Sequence, residues 1–285
     1  MVELKINHEL CENCGKCVEI CPEGILKRNS EVPKIVDVGY CMSCGQCVSI
    51  CSANAIIHQN FPEKSIHGID SSLEVSTDQL LEILRTRRSV RSFKNKKVEK
   101  EILEKVIDAA NFAPSAKNKQ TTKYVIVQDE KTLDAVTEIT FNFMKEAIKR
   151  FNDPSFMSSV DPDEANVFSS IKPSYEHMVS IYEQGKDLIR HNAPVLLFFY
   201  AKKGALSAEI NANLALHNAA LMSASIGLGS FYAGYITGAS SRTEYINKLL
   251  NIPDSHEIHA VLAVGHPKYS FKRWMDKKQP VIKWI

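Results

Sequence analysis

The sequence predicts an α+β protein in two parts: a small N-terminal domain organised by cysteines, and a larger sandwich with helices around a central sheet. Three observations carry that expectation. All eight cysteines fall into two runs of one spacing, Cys11, Cys14, Cys17 and Cys21, then, thirty positions on, Cys41, Cys44, Cys47 and Cys51. After about residue 77 the apolar pattern alternates between helical and strand periods. The chain has 285 residues, too many for a cysteine-rich domain alone when a domain typically takes ~100–200 residues. The expected organisation is a domain over 1–60, a linker over 61–77 and a second domain over 78–285.

The spacing C-x2-C-x2-C-x3-C, followed by Pro22 in the first run, is the bacterial two-cluster iron–sulfur pattern, in which the fourth cysteine of each run ligates the other cluster. Cys11, Cys14, Cys17 and Cys51 are therefore expected to hold one [4Fe-4S] cluster, and Cys41, Cys44, Cys47 and Cys21 a second. Zinc sites separate two C-x-x-C pairs instead of packing three cysteines into seven residues. Disulfides would call for an export signal, and the charged start MVELKINHEL has no apolar core of that kind. Gly15 with Gly45, Val18 with Val48 and Ile20 with Ile50 extend the match into an internal repeat. The first 60 residues resemble a bacterial-type ferredoxin, with Ser52 replacing the proline after the second run. Proline there rigidifies and does not ligate.

The formal net charge is only +2, which is no nucleic-acid footprint. Residues 58–77 are polar, with Pro62, Gly68 and paired serines, and lack either periodicity. They read as connecting chain. Residues 210–241 carry no charge, but Asn211, Asn213, His217, Asn218 and four glycines make a lipid-spanning segment unsuitable; a buried helix ending at a glycine turn is expected. A cytoplasmic protein without membrane attachment follows as the expectation.

In the second domain, Thr77 or Asp78 can cap a helix through about Arg85, and Ile102, Leu103, Val106, Ile107 and Ala110 give Glu99–Phe112 a helical stripe. Lys123–Val127 reads as a strand, with helices in 130–150 and about 164–191. A buried strand at 193–201, the uncharged helix, a helix near 241–250 and a strand at 259–265 complete the pattern. Residues 151–182, rich in proline and aromatics, read as an insertion, either a lid or a surface helix pair.

No G-x-G-x-x-G or Walker motif occurs between strand and helix. Instead Arg87, Arg88, Ser89 and Arg91 follow a helix end and suit a phosphate, although such a run is also compatible with a solvated basic face. The loop Ala113–Gln120, with Pro114, Ser115 and Asn118, offers donors to a planar ring. The turn at Gly227 and Gly229 allows close backbone approach, and Lys272 with Arg273 supplies a late cationic pair.

In this order the segments resemble the nitroreductase family of flavin enzymes over 78 to about 280. The resemblance implies a nitroreductase-like α/β sandwich binding FMN, with Arg87 and Ser89 on the phosphate, Arg88 and Arg91 close by, and Pro114, Ser115 and Asn118 along the isoalloxazine and ribityl chain. It further places Gly227–Ser230 at the glycine turn, Arg273 with Lys272 as the late phosphate ligands, and the flavin at a homodimer interface. Thr121-Thr122 and Phe231-Tyr232 stand where the family often carries tryptophan, so substrate choice is left open. No catalytic acid or base is assigned, and His191, His217, His256, His259 and His266 read as capping or core residues. The expected activity is FMN-dependent reduction of nitro, quinone or similar electrophilic small molecules, with NAD(P)H or an external ferredoxin as donor. An electron relay and an iron–sulfur sensor are the alternatives.

Overall fold

Residues 2–285 are described in a computed structural model. The polypeptide separates into two units, the chain up to Val75 together with Ser115–Lys119, and Ser76–Pro114 with Gln120–Ile285.

The first unit contains β1 (Leu4–Ile6), α1 (Lys16–Glu19), β2 (Leu26–Lys27), β3 (Lys34–Ile35), α2 (Gln46–Ser49) and β4 (Ile56–His58). β1 pairs antiparallel with β4, and β2 with β3. The sequence repeat is a backbone repeat. Gly15 and Gly45 precede the two short helices with φ 76° in both cases, a left-handed conformation that glycine adopts without a Cβ penalty. Asn13 and Ser43, one position before the second cysteine of each run, are also left-handed, with φ of 49° and 52°. Leu4, Ile25, Leu26 and Ile56 form the apolar core with Cys17. The chain after residue 60 keeps order locally: Phe61 packs on His58 at 4.8 Å between ring centroids, and short 3₁₀ turns occupy Glu63–Ser65 and Ser71–Leu73.

The second unit runs α3 (Thr77–Thr86), α4 (Lys100–Asn111), β5 (Lys123–Val127), α5 (Glu130–Phe151), α6 (Pro154–Ser159), α7 (Pro162–Glu183), β6 (Val195–Lys202), α8 (Ala208–Ser225), β7 (Gly229–Tyr232), α9 (Gly234–Arg242), α10 (Tyr245–Leu249) and β8 (His256–Gly265). Its sheet has the order β5-β6-β8-β7, with each neighbouring pair antiparallel. Both faces of the central strands are covered, which is why VLLFF reads as one continuous apolar run. Leu196 and Phe198 enter one apolar layer with Leu133 and Val136 of α5 and Ile236 of α9, whereas Val195, Leu197 and Phe199 enter the other with Leu103 of α4 and Ala212 of α8. Each fully buried side chain of that size contributes about 1.5–3 kcal/mol.

Several expected boundaries differ. The helix expected over 164–191 ends at Glu183, because the carboxylate of Asp187 turns the chain by accepting the amides of Ile189, Arg190 and Asn192. The helix expected at 241–250 is two helices, separated where Thr243 is extended at φ −139° and ψ 153°. The glycine-rich turn holds only to Gly227: β7 follows directly, a short strand whose four residues gave no alternation to read. α8 ends as expected, with Gly227 at φ 78° and the Leu228 amide returning to the Ser223 carbonyl at 2.8 Å. Among the described residues no helix is long and apolar enough to cross a membrane.

Candidate functional site

In the first unit the cysteines converge as two sets. Cys11, Cys14, Cys17 and Cys51 line one small cavity, and Cys21, Cys41, Cys44 and Cys47 line another. The repeat explains the exchange: each run places two thiols on the loop before its four-residue helix and a third on the helix itself, while the chain leaving the helix carries the fourth across to the other set. Burial, with repulsion from Cys44, Cys41 and Cys21, pushes the Cys47 thiol up to about 11. Burial and the neighbouring Cys11 likewise raise Cys17. Four thiolates cannot share such a space without a cationic centre to offset their charge. The donor set therefore fits a cationic iron–sulfur core. The Ala55 amide donates to Cys51 Sγ at 3.2 Å in the first set. His58, which burial holds below its ordinary pKa, lies beside Cys41 in the second. Sequence reasoning missed His58 because it sits at the start of the polar connecting stretch, and only the strand it ends shows that it points inward.

In the second unit the arginine run is held by the edge of the sheet. Arg87 closes α3. Ser89 then bridges Ser230 of β7, with the Val90 amide donating to the Ser230 carbonyl at 2.9 Å. Gly229 is a packing requirement at this point, since a Cβ there would lie 2.7 Å from Val90 Cγ1. Farther on, the Lys94 amide donates to the His266 carbonyl at 2.8 Å and the Lys268 amide to the Ser92 carbonyl at 2.9 Å. These two bonds bring the C-terminal segment back along residues 92–94. Phe271 and Met275 then meet the Arg88 guanidinium, and Trp274 stacks on Arg85 at 5.2 Å. Lys272 and Arg273 thus sit in a segment seated against the end of α3. Arg91 lies over the Phe231 ring at 5.5 Å, and the His191 ring meets the same phenyl edge-on at 5.2 Å.

Among the described residues, Arg87, Arg88 and Arg91 have no carboxylate within ion-pair distance; the ion pairs of the unit gather elsewhere, for instance around Arg190. The guanidinium groups of the run are left free of carboxylates, that of Arg88 against Phe271 and Met275 and that of Arg91 over Phe231, and such groups can take a phosphate. Pro114 remains with this unit, whereas Ser115 and Asn118 group with the first, where the Asn118 side-chain amide donates to the Ser43 carbonyl at 2.6 Å. Lys117, Asn118 and Gln120 all have positive φ, between 48° and 50°, so this loop carries backbone strain of a kind that clusters at functional sites.

A cavity of about 820 Å³ within the second unit is walled by α5, α6, α7 and the α9–α10 turn through Phe143, Phe151, Phe156, Phe168, Tyr175 and Arg242. The proline-rich insertion supplies α6 and α7 and forms one wall of it.

The comparison with known proteins decides the family. Residues 84–266, well over half of the chain, match the model described as the Nitroreductase family. The chain belongs to the nitroreductase family. It is an oxidoreductase of nitroreductase type, and its residues 3–52 match a 4Fe-4S dicluster domain. The Putative NADH dehydrogenase/NAD(P)H nitroreductase of Methanothermobacter thermautotrophicus is 22% identical over 194 residues, spanning 68% of this chain and 80% of that protein. The iodotyrosine deiodinase of Thermotoga neapolitana is 27% identical over 188 residues, 66% of this chain and 88% of its own. A solved nitroreductase with bound FMN from Desulfitobacterium hafniense superposes with a TM-score of 0.54 at 20% identity, covering 72% of this chain and 97% of its own. That last likeness establishes the shared fold.

Proposed function

We propose that this nitroreductase-family protein is an FMN-dependent oxidoreductase that passes electrons between two [4Fe-4S] clusters and flavin to reduce nitro, quinone or similar electrophilic small molecules. The observation that carries the reading is the unpaired arginine run, Arg87, Arg88 and Arg91, held against the Gly229 strand edge. It accompanies a unit with two four-cysteine cavities. When bound, the flavin supplies hydride and single-electron chemistry and the clusters supply single electrons. In this reading Arg87 and Ser89 hold the FMN phosphate together with Lys272 and Arg273, and Arg88 and Arg91 add positive potential. Gly227, open on its Cβ side, lets backbone lie close to the ligand, Gly229 seats the run by admitting Val90, and Pro114, Ser115 and Asn118 contribute along the ring and ribityl chain. Cys11, Cys14, Cys17 and Cys51 hold one cluster; Cys41, Cys44, Cys47 and Cys21 hold the other.

The relatives named as nitroreductases and as iodotyrosine deiodinases support an electron-poor or halogenated aromatic as acceptor. NAD(P)H or an external ferredoxin is the proposed donor. A homodimer is also part of the proposal. Ile210 and Leu214 stand exposed on α8, on a helix that carries no charged side chain after Glu209, and such apolar surface suits a second copy. Steady-state assays under anaerobic conditions, with NADH, NADPH and reduced ferredoxin against a nitroaromatic, a quinone and an iodophenol, test the whole reading. Turnover with at least one pair and one FMN per chain is expected. Flavin-free protein, or flavin that no acceptor of the panel reoxidises, would overturn it.

A further inference from the structure

The thirty-residue repeat leaves a chemical difference at positions 28 and 58, both close to a cysteine set. His58 ends β4 and is 3% exposed. Its Nε2 lies 3.5 Å from Cys41 Sγ, and its Nδ1 accepts the Asn60 backbone amide at 3.1 Å. A backbone amide can only donate, so Nδ1 must present its lone pair and the ring proton must sit on Nε2, facing the sulfur. A doubly protonated ring could not accept from Asn60. Phe61 covers the imidazole. Thirty positions earlier the repeat carries Arg28, exposed in part, whose Nη2 donates to the Cys14 carbonyl at 3.3 Å and approaches Glu19 at 3.8 Å. That side chain meets backbone and solvent, while His58 meets a ligand sulfur.

We propose that His58 is a positioning residue of the cluster held by Cys41, Cys44, Cys47 and Cys21, donating Nε2–H to Cys41 Sγ and thereby raising that cluster's reduction potential. The inference rests on the two-cluster reading above. Reduction adds one electron, and the extra charge is delocalised on iron and sulfur. An N–H dipole aimed at a ligand sulfur therefore stabilises the reduced state more than the oxidised one, and hydrogen bonds to the sulfurs are among the recognised determinants of cluster potential. No proton leaves His58 in the step. The electron comes from the titrant and stays on the cluster.

The test uses full-length protein purified anaerobically, with iron and sulfide counted first. His58→Phe keeps the volume and removes the donor; His58→Gln keeps an N–H. In mediated EPR titrations with dithionite, His58→Phe should lower the potential of one cluster by about 59 mV, a tenfold change in its one-electron equilibrium. The other cluster should stay unmoved as an internal reference, and His58→Gln should recover part of the shift. Wild-type protein labelled with 15N-histidine should show imidazole hyperfine coupling to one reduced cluster in pulsed EPR, a readout independent of how the variants fold. Protein without iron would sink the two-cluster reading itself. Two intact clusters with no histidine coupling, or equal potentials in wild type and His58→Phe, would overturn the role of His58.

Discussion

The arginines and glycines of the sheet edge act one atom at a time. Each guanidinium–phosphate contact is worth about 1.5–3 kcal/mol. Arg87→Ala should therefore weaken FMN binding by roughly ten- to a hundredfold, which fluorescence titration of flavin-stripped protein would measure. His191 offers a second residue-level expectation. Burial depresses its pKa below the usual 6.5, with Arg91 adding to the effect and Asp187 opposing it. Protons then favour the unfolded chain: the stability is intact above the unfolded value and declines as pH falls through the folded one. Between about pH 7.5 and about pH 5.5 the urea midpoint should fall less in His191→Asn than in wild type, and asparagine tolerates the positive φ of 55° at this site. The arginine run was legible as a motif because its residues are contiguous. The tie between Gly229 and Val90 was not, since it joins positions far apart in the chain.

At the scale of elements, the second unit depends on one buried ion. Arg190 has 4% side-chain exposure and joins the chain entering β6 to the first turns of α5, with Nη2 at 2.7 Å from Asp134 and 3.1 Å from Glu130, and Nη1 donating to the Ala193 carbonyl at 3.0 Å. Arg190→Ala leaves the Ala193 carbonyl and the Thr137 hydroxyl without their buried donor, while Glu130 and Asp134 return to solvent, and should cost about 1–3 kcal/mol. Thermal unfolding of the FMN-loaded variant would register the loss as a lowered midpoint, whereas an unchanged midpoint would mean solvent replaces these contacts. Helical stripes and apolar strands were legible at this scale because burial of one face, or of both, imposes a period on the sequence. The break at Thr243 and the strand β7 were not, because the first is a single extended residue and the second is too short to show alternation.

At the scale of the molecule, the expectation concerns the path of electrons. In the full chain, Cys14→Ala with Cys44→Ala removes one ligand from each four-cysteine set. The variant should keep its flavin, and dithionite should still reduce that flavin, since the second unit has its own two-layered core. Flavin reduction by reduced ferredoxin, followed by stopped flow, should fall steeply; equal rates would place the clusters off the path. The sequence by itself determined the pairing of a dicluster cysteine domain with a nitroreductase domain. The cysteine runs and the arginine run proposed as ligands are local patterns, legible because a cluster or a phosphate needs its contacts within a few residues. The tertiary structure decided which atoms those groups meet. Asn118 on the Ser43 carbonyl, Val90 against Gly229 and His58 beside Cys41 each depend on strands and loops that fold together from distant positions. Periodicity reports which face is buried, but the partner across that face is chosen only when the chain packs.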